Sequence, residues 1–405
     1  MSNWSAKAFR PLKFLILLCA ITGCATAASP PMPEETSSLA KRFQAELDAA
    51  YEEYGFPGAT AAYILPDGQT GSAAAGYADV EAKIPMRTES RMLAASIGKS
   101  IVAATVLALA QEEKLHLDDP ISTWLGDEPW FKRLPNHDEI TLRQLLLHTS
   151  GLPDHVYMAK YSDEFSREWS NAGNPSPPSS VIEFILDQPA LFRPGEDWAY
   201  SDTGYLLIGL IIEKASDYTF YEEAVQRFLV PLRMGLTTPS DLPIIPGLAA
   251  GYLPAKNNFN IPPKTTIAPG IMAWNPAREW TGGGFASNPR DLAVWAKALY
   301  EGRAIKGDYL KDLFTSAPVG GEDSGVRYGA GVGIYEKTPL GPSYGHGGGI
   351  PGYTSSMRYY PEYGVAIAFQ LNTDEGISDG TRPIDHYYNE LQLRLAKVVT
   401  DSLGK

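Results

Sequence analysis

The chain has 405 residues, of which 44% are hydrophobic and 20% are charged, and its formal net charge at pH 7 is −13. This composition is typical of a folded globular protein and excludes a disordered chain. The acidic balance excludes a nucleic-acid partner, because contacts to phosphate groups need basic patches. A chain of this length can bury a large core in one or two domains.

The first 24 residues have the layout of a secretory signal peptide. Basic residues precede the apolar run Phe14–Ile21, which is too short to cross a bilayer as a helix. The stretch Ile21-Thr-Gly-Cys24 resembles the lipobox of bacterial lipoproteins, in which the cysteine is acylated, while Ala25-Thr-Ala27 suits ordinary cleavage. We therefore predict cleavage near 23/24 or 27/28 and export to the periplasm, with membrane anchoring if Cys24 is lipidated.

Both cysteines of the chain, Cys19 and Cys24, lie in this leader. The mature domain therefore has no disulfide and no cysteine metal site. Residues 25–37 contain the stretch Ser29-Pro-Pro-Met-Pro33 and are predicted to form a proline-rich tether. Residues 38–402 are predicted to form the folded domain.

The predicted elements begin with an amphipathic helix over 37–54 and two strands that share a Pro-Asp-Gly turn. An apolar run over 97–111 indicates a buried helix. Further helices are predicted at 141–147, 180–186 and 203–215, and a capping box of Ser180 and Glu183 opens the second of these. The two strands are 59–65 and 71–77.

Residues 235–280 are rich in Pro, Gly and Asn and are predicted to form long loops. A helix at 292–300, strands at 328–335, 353–359 and 365–371, and a last helix at about 384–399 follow. This order predicts a mostly antiparallel sheet built from 38–95 and about 285–402, with a mainly helical part at about 96–284.

The stretch "GPSYGHGGGIPGY" at 341–353 contains several catalytic-looking patterns. A nucleophile elbow at Ser343 and a dinucleotide fingerprint both need a helix directly afterwards, and the glycine run and Pro351 cannot continue one. A lipase-type oxyanion motif belongs before the nucleophile, whereas His346-Gly-Gly-Gly349 comes after Ser343. The remaining interpretation is a third motif of a hydrolase whose nucleophile lies far upstream.

Ser-x-x-Lys patterns occur at 38–41, 96–99 and 402–405. Only Ser96 directly precedes the apolar helix, which places Lys99 on the same helix face. Burial there would lower the pKa of Lys99 and allow it to accept the proton of Ser96. The alternative is that Ser96 only caps the helix and Lys99 reaches solvent.

Tyr200-Ser-Asp202 stands directly before another apolar helical run. The Tyr200 hydroxyl could relay a proton to a leaving group if neighbouring cations lowered its pKa. An ordinary packed tyrosine is the alternative at this position.

Taken in order, Ser96-Ile-Gly-Lys99, Tyr200-Ser-Asp202 and His346-Gly-Gly348 resemble the three motifs of the serine β-lactamase and penicillin-recognising superfamily. The similar branch contains class C β-lactamases, D-alanyl-D-alanine carboxypeptidases, esterases and D-aminopeptidases, and the similarity runs from about Leu39 to near the C-terminus. It implies an α/β (α+β) fold with an antiparallel sheet flanked by helices, a mostly helical subdomain, and an active site between the two.

The resemblance also implies roles for individual residues. Ser96 is the acylated nucleophile, Lys99 its proton partner and Tyr200 the general acid or base. His346 takes a strand position that lysine fills in many relatives. The backbone N–H groups of Ser96 and Gly349 form the oxyanion hole, and the glycines around Gly348 let the strand approach the substrate. The mechanism needs no metal and no other cofactor.

Two departures from the superfamily pattern affect the expected substrate. Asp202 replaces an asparagine, so it can only accept hydrogen bonds when ionised, and could hold Lys99 or bind a substrate amine. Gly347 and Gly349 lack hydroxyls that bind a substrate carboxylate in relatives, although Arg278 or Arg327 could replace them. We expect weak penicillin hydrolysis. The expected substrate is a small molecule or peptide that carries an ester bond, or an amide bond in a neutral or amine-bearing compound.

Three alternatives stay open: a D-alanyl-D-alanine carboxypeptidase, a true class C-type β-lactamase, and a β-lactam or peptidoglycan sensor that acylates without turnover. The oligomeric state is not fixed by the sequence. His148 is expected to form a local hydrogen bond at a helix end. The remaining histidines, including His155 and His386, show no metal-ligand spacing.

Overall fold

A computed structural model describes residues 34–169, 177–255, 257, 261–374 and 384–404. The predicted signal peptide, Cys24 and most of the predicted tether lie outside these residues. Within the described ranges, the structure contains no helix with the length and apolar character needed to cross a membrane.

Among the described residues, nine antiparallel strands form the main sheet, in the order β3-β2-β1-β14-β13-β12-β11-β10-β9. Its centre joins the two ends of the domain, because β1 pairs with β14 from Ala59↔Leu371 to Ile64↔Ala366. The predicted mixed α/β fold with an antiparallel sheet from both chain ends is confirmed. The described strands are β1 (Gly58–Ile64), β2 (Thr70–Asp79), β3 (Ile84–Pro85), β4 (Met92–Leu93), β5 (Thr238–Pro239), β6 (Thr266–Ala268), β7 (Ile271–Met272), β8 (Phe285–Ser287), β9 (Ala317–Pro318), β10 (Val326–Gly329), β11 (Val332–Tyr335), β12 (Ser343–Ile350), β13 (Tyr353–Tyr360) and β14 (Val365–Leu371).

Helices cover both faces of this sheet and form a second part of the molecule beside it. The described α-helices are α1 (Glu34–Tyr54), α2 (Gly98–Gln111), α3 (Ser122–Leu125), α4 (Leu142–Leu146), α5 (Ala159–Trp169), α6 (Asp202–Ser216), α7 (Phe220–Ala224), α8 (Trp280–Gly283), α9 (Pro289–Tyr300), α10 (Leu310–Phe314) and α11 (Ile384–Thr400). A π-helical turn, Val225–Leu229, continues α7. Short 3-10 helices lie at Ala95–Ile97, Phe131–Arg133, His155–Tyr157, Pro178–Ile185, Pro276–Glu279, Glu322–Ser324 and Asp401–Leu403.

The central strands β1, β13 and β14 are buried along their whole length, since both faces of the sheet are covered. Helices α1 and α11 pack on the outer face through an apolar cluster that includes Phe43, Tyr63 and Phe369. The inner face packs on a larger cluster shared with α9 and the helical part. The near-continuous apolar character of these strands follows from this double coverage.

Helix α2 is the central element of the helical part. Every residue from Gly98 to Leu109 is buried, as the apolar run predicts, and α2 packs against α6, α7 and α8. Because apolar residues occur on all sides of α2, it needs neighbours on all sides. A fully buried Lys99 near its first turn must therefore find its partners inside the protein.

The structure corrects four expectations about local structure. Residues Pro178–Ile185 form a 3-10 helix with no side-chain cap, so the predicted capping box of Ser180 and Glu183 is wrong. The predicted strand 328–335 is a hairpin of β10 and β11, because a turn at Gly331 interrupts it. The predicted loops at 235–280 contain short strands and α8. Helix α1 begins at Glu34, within the predicted tether.

The loop that precedes α2 depends on a close backbone contact with Gly283. This glycine has φ +152°, and a Cβ on it would lie 2.2 Å from the Ala95 carbonyl oxygen. Gly235 has free space instead, because a Cβ on Gly235 would meet nothing within 4 Å. The packing therefore requires a glycine at 283 and tolerates a side chain at 235.

We predict that Gly283→Ala lowers the free energy of unfolding by more than about 2 kcal/mol, because the backbone must move away from Ala95. Gly235→Ala is the matched control and should change it by less than about 1 kcal/mol. Urea unfolding of both variants measures the difference. Equal stability of the two variants would contradict the packing argument.

Candidate active site

Ser96 lies in a strained turn between β4 and α2. Ala95, directly before it, has φ +50°, which is unusual for a residue other than glycine. The turn is held from behind, because a Cβ on Gly98 would lie 2.8 Å from the Gly283 Cα. Strain of this kind persists only where the surrounding packing enforces it. The side chain of Ser96 is half-buried and lines a cavity.

The Lys99 ammonium has three partners, and these come from three different segments. Its Nζ lies 3.1 Å from Ser96 Oγ, donates to the Gly282 carbonyl oxygen, and forms an ion pair with Asp202 Oδ1. The aromatic rings of Tyr200 and Tyr205 lie 5.0 and 5.4 Å from Nζ. An ammonium has three donors, so this geometry satisfies a charged lysine completely.

The pKa of Lys99 is raised above its ordinary value of 10.5. Burial is the largest single influence and lowers the pKa, but the Asp202 carboxylate and Tyr200 act in the opposite direction and together outweigh it. The expectation that burial would lower the pKa of Lys99 overall is therefore wrong. The physical reason is the carboxylate at 202, which an asparagine would not supply.

Tyr200 is a half-buried, neutral phenol whose hydroxyl is buried next to both Ser96 and the Lys99 ammonium. Burial raises its pKa to about 12, even though the charge of Lys99 acts to lower it. At neutral pH the lysine and the tyrosine are thus both protonated. A group that accepts the proton of Ser96 must therefore release its own proton to another acceptor.

The segment Tyr200-Ser-Asp202 is fixed at the start of α6 by its backbone. The Ser201 side chain caps the helix by accepting from the Gly204 N–H. The Ser201 N–H donates to His148 Nδ1 at 3.1 Å, and the Asp202 N–H donates to Asp154 Oδ2 at 3.1 Å. These bonds orient Tyr200 and Asp202 towards Ser96 and Lys99 from the opposite wall.

His346 on β12 is buried and neutral. Its Nδ1 lies against the Gly347 carbonyl oxygen, which can only accept, so Nδ1 carries the proton. Its Nε2 therefore accepts from the Tyr328 hydroxyl at 2.7 Å. Burial lowers the pKa of His346 to about 4. Position 346 thus offers no positive charge to a substrate.

The glycines of β12 have distinct packing environments. A Cβ on Gly348 would lie 2.2 Å from the Ala94 carbonyl oxygen, so only glycine lets β12 approach the Ser96 turn. A Cβ on Gly347 would lie 2.7 Å from the Tyr388 hydroxyl, whereas one on Gly349 would meet nothing within 4 Å. Since β11 pairs with β12 only up to Gly345, the described strands leave the following backbone open along that edge.

Two cavities meet at this site. We call the first, of about 350 Å³, the tyrosine cavity; it is lined by Ser96, Trp198, Tyr200, Val319, Val326, Arg327, Tyr328, Gly333, Tyr335, His346, Gly347 and Gly349. We call the second, of about 270 Å³, the acidic cavity; it is lined by Val156, Tyr161, Phe165, Asp202, Glu279, Gly349, Ile350, Pro351 and Asp374. Gly349 belongs to both, so the edge of β12 lies between them.

The acidic cavity carries three carboxyl groups, on Asp202, Glu279 and Asp374, and none of its lining residues in the described part of the chain is a lysine or arginine. Burial, with the charge of Asp202 adding to it, raises the pKa of Glu279 to about 7. The same two causes, in the same order, raise the pKa of Asp154 behind the cavity to about 7. An added positive charge would relieve this crowding of carboxyl groups.

The two arginines proposed from the sequence lie in different places. Arg278 is buried, pairs with Glu164 at 2.7 Å and lies over the Tyr161 ring, and it lines neither cavity. Arg327 lines the tyrosine cavity, with Nη1 2.9 Å from Glu322. Only Arg327 of this pair is placed to meet a ligand.

The structure brings together the predicted catalytic and substrate-binding residues: Ser96, Lys99, Tyr200, Asp202, His346, Gly348 and Gly349. It also shows residues that the sequence analysis missed. The backbone N–H of His148 makes the expected local bond, to the Leu145 carbonyl oxygen at the end of α4. The His148 ring instead packs 4.1 Å from the Tyr200 ring and accepts a hydrogen bond from a residue 53 positions away, which the sequence did not predict. Tyr328, Glu279 and Asp154 carry no local sequence signal. The His386 side chain lies outside the described residues.

The geometry agrees with the comparisons to known proteins. A model of the Beta-lactamase family matches residues 39–389, and the chain belongs to this family. Penicillin-binding protein 4* of Bacillus subtilis is 26% identical over 314 residues, covering 74% of this chain and 64% of that protein. Protein flp of Staphylococcus aureus is 32% identical over 165 residues, 40% of this chain and 31% of that protein. The chain thus spans less than two thirds of these curated relatives.

Solved structures of similar proteins cover more of the chain. D-amino acid amidase from Ochrobactrum anthropi SV3, in complex with L-phenylalanine amide, is 26% identical with a TM-score of 0.74, covering 90% of this chain and 99% of that chain. The penicillin-binding protein homologue from Pyrococcus abyssi is 27% identical with a TM-score of 0.69, covering 87% and 77%. These similarities support a β-lactamase-family serine hydrolase.

The ion pair of Lys99 and Asp202 leads to a prediction about how the free energy of unfolding depends on pH. In Asp202→Asn the buried ammonium loses its counter-charge, and we expect a loss of about 3 kcal/mol at pH 7. With that counter-charge removed, we expect burial, the largest single influence on Lys99, to lower its folded-state pKa below the ordinary value of 10.5. Between this lowered folded-state pKa and the ordinary pKa of 10.5 in the unfolded chain, the folded variant binds fewer protons than the unfolded variant. The stability of the variant therefore rises with pH in this range. The wild-type pair, with its raised pKa, loses stability only above about pH 10.5.

The deficit of Asp202→Asn relative to wild type should therefore shrink between pH 7 and pH 10, as urea unfolding at several pH values would show. Glu52→Gln, an exposed change on α1, is the control and should show no such trend. A deficit that stays constant or grows with pH would contradict the charged state assigned to Lys99.

Proposed function

We propose that this protein is an exported serine hydrolase that forms an acyl-enzyme on Ser96 and hydrolyses amides or esters of amine-bearing acyl groups, such as D-amino-acid derivatives. The observation that carries the proposal is the acidic cavity, which contains three carboxyl groups and shares Gly349 with the cavity that Ser96 lines. The predicted signal peptide and the lipobox-like Cys24 support export with a lipid anchor.

In the proposed acylation step, Ser96 Oγ attacks the substrate carbonyl carbon. Because Tyr200 is neutral, it accepts the proton of Ser96 while its own proton passes to the leaving nitrogen or oxygen. The C–N or C–O bond then breaks and the leaving group departs as a neutral amine or alcohol. Water repeats the sequence in reverse to release the acid.

Lys99 stays charged throughout this sequence. Its ammonium lies 3.1 Å from Ser96 Oγ and stabilises the negative charge that develops there and on the Tyr200 oxygen. The backbone N–H groups of Ser96 and Gly349 are assigned to the oxyanion by the family resemblance, and each such donor typically contributes about 3–4 kcal/mol in the transition state. The open edge of β12 at Gly349 supports this assignment.

Tyr200 decides which cavity receives which half of the substrate. A phenol that protonates the leaving group must contact it, and Tyr200 lines the tyrosine cavity. The leaving group is therefore assigned to the tyrosine cavity and the acyl group to the acidic cavity. The apolar side chains of Val156, Tyr161 and Phe165 suit an apolar acyl side chain there.

The charges of the acidic cavity favour an ammonium and disfavour a carboxylate. A substrate amine can pair with Glu279 or Asp202, whereas a buried carboxylate would find neutral His346 and no hydroxyl at Gly349. Penicillins carry a carboxylate, so their hydrolysis should be weak. The amidase names of the structural neighbours agree with this substrate class.

A D-alanyl-D-alanine carboxypeptidase or a class C-type β-lactamase is the second candidate, and Arg327 favours it. This guanidinium lines the tyrosine cavity, where the carboxylate of a leaving D-alanine would lie. The similarity to penicillin-binding proteins points the same way. A sensor that acylates without turnover would share this geometry.

We predict that the mature protein hydrolyses D-phenylalanine amide with a kcat/KM at least about tenfold above that of its N-acetylated form, since acetylation removes the ammonium. Glu279→Gln should reduce this preference several-fold, mainly through KM. Steady-state kinetics at pH 8, where Glu279 with its pKa of about 7 is mostly ionised, measure both effects. Ser96→Ala should abolish turnover of every substrate, and Glu52→Gln is the matched control.

The same assay includes benzylpenicillin and a short-chain p-nitrophenyl ester. If penicillin is the best substrate and depends on Ser96, the nucleophile is right and the assignment of the acidic cavity is wrong. A burst equal to the enzyme concentration without further turnover indicates the sensor. Full activity of Ser96→Ala would reject the whole mechanism.

A further inference from the structure

Arg358 on β13 is a buried cation that has no carboxylate partner among the described residues. Its side chain lies on the outer face of the main sheet, and the residue is 5% exposed. Nε is buried with no hydrogen-bond partner, and among the described residues no carboxylate forms an ion pair with this guanidinium. Buried charges are normally paired, because leaving one unpaired costs several kcal/mol.

The sheet register explains how the guanidinium reaches its place. Gly333 on β11 pairs with Gly345 on β12, and Gly345 pairs with Arg358 on β13, so these three residues form a row across the sheet. The Tyr335 ring folds over Gly333, since a Cβ there would lie 2.9 Å from the Tyr335 hydroxyl. Two glycines thus leave room for Arg358 to lie flat and reach this ring.

The guanidinium of Arg358 stacks on the Tyr335 ring, with Cζ 3.3 Å from the ring centroid. A cation–π contact satisfies the face of a guanidinium and leaves the N–H groups along its edge free. The Tyr388 hydroxyl is the polar group beside it. The edge of Arg358 therefore still has donors to offer.

These donors face a cavity of about 300 Å³, which we call the outer cavity. Lys337, an exposed residue, lines it together with Arg358 and the Ser343 hydroxyl, and its described lining contains no Asp or Glu. Ser343 lies on the same face, because it pairs with Tyr335, two residues along β11 from Gly333. The described lining thus combines two positive charges with neutral hydroxyl groups and contains no carboxylate.

We propose that the outer cavity is an anion-binding site that takes a small oxyanion, such as phosphate or a carboxylate group, on the edge of Arg358. A planar guanidinium edge matches two oxygens of such a group. Lys337 adds a second charge at the mouth, and Ser343 adds a neutral donor. The site does not depend on the proposed function, because Ser96, Tyr200 and His346 do not line it.

The outer cavity nevertheless adjoins the tyrosine cavity, because Val326 and Tyr335 line both. The oxyanion can therefore come from two sources of the same chemistry. It is either a free ion or an acidic group on the leaving part of a long substrate. Binding and kinetic measurements together distinguish the two sources.

The test is a titration of the full mature chain with inorganic phosphate at constant ionic strength. Calorimetry and the thermal unfolding temperature measure the binding. Saturable binding is expected for wild type, with at least tenfold weaker binding for Arg358→Met and several-fold weaker binding for Lys337→Gln. Lys41→Gln, an exposed change on α1, is the control and should bind like wild type. Lys337 is exposed, so its variant tests the site even if Arg358→Met fails to fold.

Absence of phosphate binding to wild type, or equal binding by wild type and Lys337→Gln, overturns the proposal. If phosphate binds and also competes with substrates that have an acidic leaving group but not with neutral ones, the substrate's own acidic group is the occupant. If phosphate binds and affects neither class, the occupant is a free ion. Both of these results support the site.

Discussion

The buried ammonium of Lys99 is the constraint on which the rest of the site depends. A charged group with no exposure to solvent must be satisfied inside the protein. Its partners, Ser96, the Gly282 carbonyl and Asp202, come from the turn before α2, from α8 and from the start of α6. One side chain therefore fixes three segments relative to one another. Because the pair keeps Lys99 charged, proton transfer falls to Tyr200, which stands beside it.

The sheet contributes to the site because β12 contains several glycines, which have no side chain. With glycine at 348, the strand lies directly against the carbonyl of Ala94 and so against the turn that carries Ser96. The strained φ of Ala95 is maintained by this contact from one side and by Gly283 from the other. Further along β12, Gly345 opens the outer face to Arg358. A single glycine-rich strand thus shapes both the catalytic cleft and the outer cavity.

Much of this could be predicted from the sequence where the information is local. The spacing of Ser96 and Lys99 at the start of an apolar helix fixes their proximity, and the apolar runs of β1 and β14 predict buried strands. The protonation state of Lys99 could not be predicted, because it depends on Asp202, which is 103 positions away in the chain. The contact between His148 and Tyr200 is equally long-range. The error at Ser180 has a different origin: a capping pattern indicates where a helix begins but not whether it continues as an α-helix or a 3-10 helix.

NMR of protein labelled with ¹³C at the lysine Cε measures the charge of Lys99 directly. The Lys99 resonance is the one that is absent in Lys99→Met. We predict a chemical shift that stays at the ammonium value from pH 6 to pH 10, because the Asp202 carboxylate holds the pKa of Lys99 above its ordinary value. A titration with a midpoint near or below pH 8 would show a neutral lysine at working pH. Lys99 would then be the proton acceptor for Ser96, and the role given to Tyr200 would be wrong.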